Sequence, residues 1–238
     1  MPAAPLRPNE AQSLASLERL DVMDSQREPA FDALVRAAAL VCGVPISLIS
    51  LIDADRQWFK ANEGLPGVTQ TPRVVAFCAH AVLGNEVFEV NDATQDARFL
   101  QNPLVLGDPS IRFYAGMPLQ LGDGSRVGTL CVIDSRPRQL TAQQREILVH
   151  LGAAAVQLLE GRRALLVVTQ AEAALKAAND RIAVATDSGR IGVWQYDLKT
   201  RRSKWDGWVF RLFGLPADTG PEVSDDVVAQ LLSAATNG

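Results

Sequence analysis

The sequence has only three cysteines, Cys42, Cys78 and Cys131, and two histidines, His80 and His150. Three widely spaced cysteines make no disulfide framework, so reduced thiols in a cytoplasmic setting are the expectation. A tetrahedral zinc site needs three or four ligands at recognisable spacing, which two histidines and scattered thiols do not offer. Long apolar runs are missing too. The longest uncharged stretch, 37–52, is too short to span a bilayer and is broken by Gly43-Val44-Pro45. An excess of positive charge is also absent: 23 Lys and Arg against 27 Asp and Glu leave a formal net charge of −4. That balance gives no electrostatic reason to bind nucleic acid or an anionic membrane. Residues 1–10 carry Pro2, Pro5 and Pro8 but no apolar stretch behind Arg7, so they read as a flexible N-terminus and not as a signal or transit peptide.

What is present is a globular composition, with 47% hydrophobic and 21% charged residues and a mean hydropathy of +0.05. Its 238 residues exceed one average domain of about 150 without filling two.

Apolar residues at helical spacing, Leu14, Leu17 and Leu20, predict a first helix over 9–21 with Asn9 as its cap. Glu28-Pro29 opens a second, whose face of Phe31, Leu34, Val35, Ala38 and Val41 runs until Gly43. Strands over 46–53 and 56–63 flank the turn Asp53-Ala54-Asp55 and form a hairpin. A short helical stretch over 75–83 and a brief strand over 87–90 follow. The Asp-, Asn-, Gly- and Pro-rich segment 92–108 has the length and composition of a functional excursion over a pocket. Strands over 111–121 and 126–134, joined by Gly122-Asp123-Gly124-Ser125, make a second hairpin.

Thr141 begins a helix with no decisive stop before Asn179 or Asp180. Ile147, Leu151, Ala154, Leu158, Gly161, Leu165, Val168, Glu172 and Leu175 step by four and three, the spacing of a parallel dimer seam, although its first half could equally pack on its own domain. Beyond Asp180 the pattern predicts a helix over 181–188, strands over 192–198 and 203–205, a helix over 207–213, a turn over 217–221 and helical character over 222–235. The basic run 199–204 lacks interleaved aromatics and reads as a polar hairpin turn.

Several blocks carry a family resemblance: Leu20 to Asp24, Ser47 to Asp53, Phe77-Cys78-Ala79-His80, Ile111 to Leu119 and Gly128 to Asp134. Their order and spacing resemble a bacterial GAF sensor domain over 11–164. The resemblance implies an α+β fold with a central antiparallel sheet, helices on one face, a small-molecule pocket on the other, and pairing into homodimers. Residues 165–180 then read as a helical linker or dimer helix. The tail 181–238, with Gly189 to Leu198 and Leu212 to Leu215, resembles the first half of a PAS domain. The later PAS strands are missing, so exposed strand edges imply poor order or a partner. Such pairs precede histidine kinases or diguanylate cyclases in related architectures, and neither effector is present in this sequence.

The candidate ligand-binding residues are Trp58, Cys78, His80, Asp92, Phe99, Arg112 and Tyr114, an apolar wall with a few polar groups. Trp58 and Phe113 also suit a core. Arg112 and Tyr114 alternate with Phe113 and so share one face of their strand. Cys78 and His80 suit a buried thiol and a helix-start imidazole, or an activated nucleophile. The latter resembles free-methionine sulfoxide reductases of the same fold, but 92–108 lacks their further cysteines and Cys131 has no assured place beside Cys78. Bilin binding would want its cysteine after the long loop, and a cyclic nucleotide would want a Gly-rich cradle beside Arg98 or Arg112. The expected function is a non-catalytic sensory module with an unidentified ligand and no assigned cofactor. The alternatives are a thiol reductase or a purely structural dimerisation module.

Overall fold

The computed structural model describes residues 3–215 and 222–224. The chain divides into two compact units, Met1–Val167 and Val168–Gly238.

In the first unit, helices α1 (Glu10–Arg19) and α2 (Pro29–Cys42) precede strands β1 (Ile46–Ile52), β2 (Arg56–Glu63) and β3 (Gln70–Pro72). Pro29 fits the first turn of α2, and Gly43, at φ 62°, supplies the left-handed residue that ends it. A 3-10 turn (Arg73–Val75) leads to α3 (Phe77–Ala81), β4 (Phe88–Val90), α4 (Pro103–Leu106), β5 (Phe113–Gln120) and β6 (Arg126–Asp134). The sheet has six strands in the order β3-β2-β1-β6-β5-β4. Every pairing is antiparallel. Both expected hairpins form. The three-residue β3 and the four-residue α4 are too short to leave a periodic signal in the sequence.

Strand alternation divides the unit into two cores. Ile49 and Leu51 of β1, Trp58 of β2, Phe113 of β5, and Leu130 and Val132 of β6 face helices α1 and α2. Leu48 and Ile52, Phe59, Tyr114, Cys131 and Ile133 face the other way, toward α3 and the 92–111 excursion. Lys60 is fully buried on the helix side. All three of its ammonium donors are used, on Ser25 Oγ and the Gln26 carbonyl at 2.8 Å and on Glu28 at 2.7 Å.

The expected cap at Asn9 makes no side-chain hydrogen bond to α1. Arg7, two residues earlier, pins the segment instead. It is 2% exposed and donates to Glu10 and to the carbonyls of Arg126 and Ile52. Glu10 also receives both terminal nitrogens of Arg73. Burial works against this carboxylate, but the two guanidinium groups outweigh it and hold its pKa far below the usual range.

Helix α5 (Ala142–Gly189) has 48 residues and takes in both 142–180 and the separate helix expected at 181–188. Asn179-Asp180 provides neither Gly nor Pro, so nothing there breaks the ladder. Its start is a reciprocal capping box: Thr141 Oγ1 accepts from the Gln144 amide and Gln144 Oε1 from the Thr141 amide. Leu148, Gly152, Ala155 and Leu159 form its buried stripe. A Cβ at Gly152 would lie 2.7 Å from Met117 Cγ, so this glycine is what lets α5 approach β5 closely. The anticipated seam residues Ile147, Leu151, Ala154 and Leu158 lie half-buried beside that stripe.

In the second unit, β7 (Trp194–Asp197) and β8 (Arg202–Trp205) form a hairpin, followed by α6 (Gly207–Leu212) and β9 (Glu222–Ser224) on the far side of β8. The basic run forms the hairpin turn, where the Lys199 and Thr200 amides donate to Asp197. Asp206 caps α6 by accepting from the Trp208 and Val209 amides. Trp205, Val209, Phe210 and Val223 make a small core of their own. Residues 222–224 are therefore extended and not helical, pairing with β8. The rest of the anticipated 222–235 helix and the 217–221 turn lie outside the described residues.

Candidate functional site

On the sheet face away from α1 and α2 lies a cavity of about 200 Å³. Its floor is the outward row of the strands, Leu48, Gln57, Phe59, Tyr114 and Ile133. Phe77 and Cys78 of α3 form one wall, and Leu104 to Ile111 the opposite one. Val68 and Asp108 are exposed and mark its mouth. Short α3 follows a 3-10 turn and ends at Ala81, and Phe77, Cys78, Ala81 and the capping Val82 join the core on this face of the sheet. Asn102 caps α4 through the Leu104 amide and donates to the Val75 carbonyl, fixing the excursion over the sheet.

The lining is apolar apart from a few groups. Gln57 Nε2 donates to Thr71 Oγ1 at 2.8 Å, whereas its Oε1 is buried with no hydrogen-bond partner among the described residues. The Tyr114 hydroxyl donates to Cys78 Sγ at 3.3 Å, and Cys131 Sγ stands 3.9 Å from Cys78 Sγ. Burial pushes the Cys78 thiol up, but the Cys131 thiol and then the hydroxyls of Thr129, Tyr114 and Ser50 outweigh it and bring it below its ordinary pKa. Cys131 moves the other way, raised first by burial and then by its neighbour Cys78. Tyr114 is raised by burial and by the same sulfur.

Four of the seven sequence candidates are brought together. Cys78 and Tyr114 line the cavity, with Phe99 and His80 in the layer behind. Phe99 stacks on Phe77 at 3.9 Å and meets the His80 ring edge-on at 4.8 Å. Burial, followed by the nearby Arg98, lowers the His80 pKa. The other three lie apart. Trp58 is on the helix-covered face. Asp92 accepts from the Thr94 amide and hydroxyl in its own turn, and Arg112 donates to the carbonyls of Val105 and Ile111. Arg112 precedes β5, so the strand alternation that places Tyr114 does not extend to it.

Sequence reasoning missed Gln57 and left Cys131 without a place. The alternation of β6 carries the signal for Cys131, since Ile133 pairs with Tyr114 and Cys131 shares its face. Gly116 is a third omission. A Cβ there would collide with the Tyr114 phenol, so the absence of a side chain is what allows that ring to lie along β5.

The GAF domain family model matches residues 26–159, more than half of the chain. The chain belongs to the GAF domain family. As such it is a sensory or regulatory module of the kind found in signalling proteins. Over 144 residues, 60% of its length, this GAF chain is 44% identical to the cyclic di-GMP phosphodiesterase PA2567 of Pseudomonas aeruginosa. It spans 24% of that relative's length. Among solved structures, it is similar to the GAF domain of an Acinetobacter phosphoenolpyruvate-protein phosphotransferase, at 20% identity and a TM-score of 0.48, covering 65% of this chain and 96% of that one. A type II free methionine-R-sulfoxide reductase from Thermoplasma acidophilum aligns at 13% identity and a TM-score of 0.45, covering 56% and 93%. Among the described residues, no three His, Cys, Asp or Glu side chains are grouped to hold a metal ion, and all three cysteines are free thiols. No described helix is long and apolar enough to cross a membrane.

Proposed function

We propose that this GAF domain is a non-catalytic sensory module of a bacterial cytoplasmic signalling protein, and that its ligand is a small, mainly apolar molecule with one hydrogen-bond donor. The cavity beside Cys78 and Tyr114 carries this reading. At about 200 Å³ it is smaller than the ~300–1,000 Å³ of drug-sized sites, which limits the size of an occupant. The unpartnered Gln57 carbonyl oxygen supports a donor on the ligand, because a buried acceptor left unpaired costs about 1–3 kcal/mol. Cys78, Tyr114 and Gln57 are the proposed contacts, with Phe99 and His80 holding the wall behind them.

Transmission through a homodimeric α5 is the second part of the proposal. Val168, Leu175 and Ile182 recur every seven residues and are more than half exposed, which suits a helix seam with a second copy. The identity to part of a cyclic di-GMP phosphodiesterase supports a place beside an effector of bacterial signalling, with a histidine kinase or diguanylate cyclase as other effectors of the same type. The β7–β8 hairpin followed by α6 supports reading the second unit as the start of a PAS-like domain.

Native mass spectrometry of the freshly purified chain tests both parts. The expected result is a dimer retaining a discrete small mass that is lost on denaturation, with that mass absent from a folded Leu104→Trp variant whose cavity is filled. A bare wild-type chain that gains no thermal stability from a library of small apolar donors would overturn the ligand reading. A monomer would overturn the seam.

A further inference from the structure

We propose that Cys78 and Cys131 are a peroxide-sensitive dithiol, an oxidation site that closes to a disulfide between α3 and β6 beneath the cavity. The two residues are 53 positions apart in sequence, yet their sulfurs are 3.9 Å apart in a fully buried setting. A disulfide has its sulfurs about 2 Å apart, so closure asks for roughly another 2 Å of side-chain movement. Cys42, the remaining thiol, is buried in the core on the opposite face.

The surroundings divide the roles of the two sulfurs. Both thiols are buried, but Cys78 lines the cavity, which gives a molecule as small as a hydroperoxide a route to it, whereas Cys131 is not among the lining residues. Cys78 is therefore the attacking sulfur and Cys131 the resolving one. The Tyr114 hydroxyl donates to Cys78 Sγ at 3.3 Å. A hydroxyl donor on the sulfur favours its thiolate, the form that attacks peroxide.

The chemistry balances with a hydroperoxide as the oxidant. The Cys78 thiolate attacks one oxygen of hydrogen peroxide, the O–O bond breaks, and the departing hydroxide takes up a proton as water, leaving Cys78 as the sulfenic acid. The Cys131 sulfur then attacks Cys78, the S–O bond breaks, and the second oxygen leaves as water with the Cys131 proton. Two thiols lose two protons and two electrons, and one peroxide becomes two waters. Because α3 forms a wall of the cavity and β6 part of its floor, the new bond would fix that wall to the sheet. The inference is independent of whether the cavity holds a ligand.

The test uses the full reduced chain, graded hydrogen peroxide, and alkylation under denaturing conditions followed by intact mass and peptide mapping. The expected result is loss of two of the three alkylatable thiols, a mass decrease of about 2 Da, and a Cys78–Cys131 linked peptide. Cys131→Ser should instead accumulate a dimedone-trappable sulfenic acid on Cys78 without that decrease, and Cys42→Ser should give the same disulfide yield as wild type. Three intact thiols at peroxide levels that oxidise free glutathione would overturn the proposal, as would a link through Cys42 or only intermolecular disulfides. If Cys131→Ser does not fold, the wild-type peptide map still decides. Ligand retention, measured separately on reduced protein, is untouched by any of these outcomes.

Discussion

The two faces of the six-stranded sheet are built from the same strands and differ in what covers them. Toward α1, α2 and the first turns of α5, the inward residues pack against helices in one apolar core, with one buried lysine whose three donors are all taken. Toward α3 and the 92–111 excursion, the cover is short helices and loop, and a cavity, a thiol pair and an unpaired amide oxygen remain. Helices give one face its stability, whereas the irregular cover of the other leaves room and polar groups for chemistry. A change of the same size should therefore cost more on the first face than on the second.

Phe113→Ala is expected to lose about 4 kcal/mol of unfolding free energy in urea denaturation, because the ring is completely buried among helix-face side chains and a void would remain. Leu104→Ala on the cavity wall should lose only about 1 kcal/mol, since it enlarges a space that already exists. Equal losses would break the comparison. Glu10→Gln comes next, at about 3 kcal/mol, because Arg7 and Arg73 would keep buried charges without their shared carboxylate. This clamp also sets an acid limit. Glu10 is depressed in the folded state, so its contribution is complete above the ordinary carboxylate pKa and is lost as pH falls toward the folded value. Thermal melts from pH 6 to 3 should show that decline in wild type and a flatter profile in Glu10→Gln.

Gly116→Ala should cost about 2 kcal/mol by forcing the Tyr114 ring away from β5 and from Cys78. Tyr114→Phe is the gentlest probe, at about 1 kcal/mol. It keeps the ring and removes one donor from the Cys78 sulfur, so the thiol pKa should rise, read as slower alkylation of Cys78 at neutral pH. Unchanged alkylation would mean that the hydroxyl does not act on the sulfur.

The helix face was legible in the sequence because its signals are local: Pro29 and Gly43 bracket α2, and the apolar runs 46–52 and 113–119 mark buried strands. The cavity face was legible only where a strand carried the residue, as with Tyr114. Alternation puts Gln57 and Cys131 on that face, but the meeting of Cys131 with Cys78, 53 residues away, is a tertiary contact that composition and periodicity do not encode. Arg112 misled because the strand starts one residue after it, and Asn9 because Arg7 and Glu10 hold the start of α1 in its place. The unbroken α5 reflects the same lesson, since a polar pair reads as a boundary only when a residue there actually interrupts the helical hydrogen bonds.

The family match opens at residue 26, but the folded body opens at Arg7. Trimming to the matched limits would remove the carboxylate that Arg73 shares, strip Leu17 and Leu20 from the core, and uncover the end of β1 where Arg7 reaches the Ile52 carbonyl. The packed body is thus longer than the recognisable motif, and its first buried side chain among the described residues, Arg7, precedes any helix.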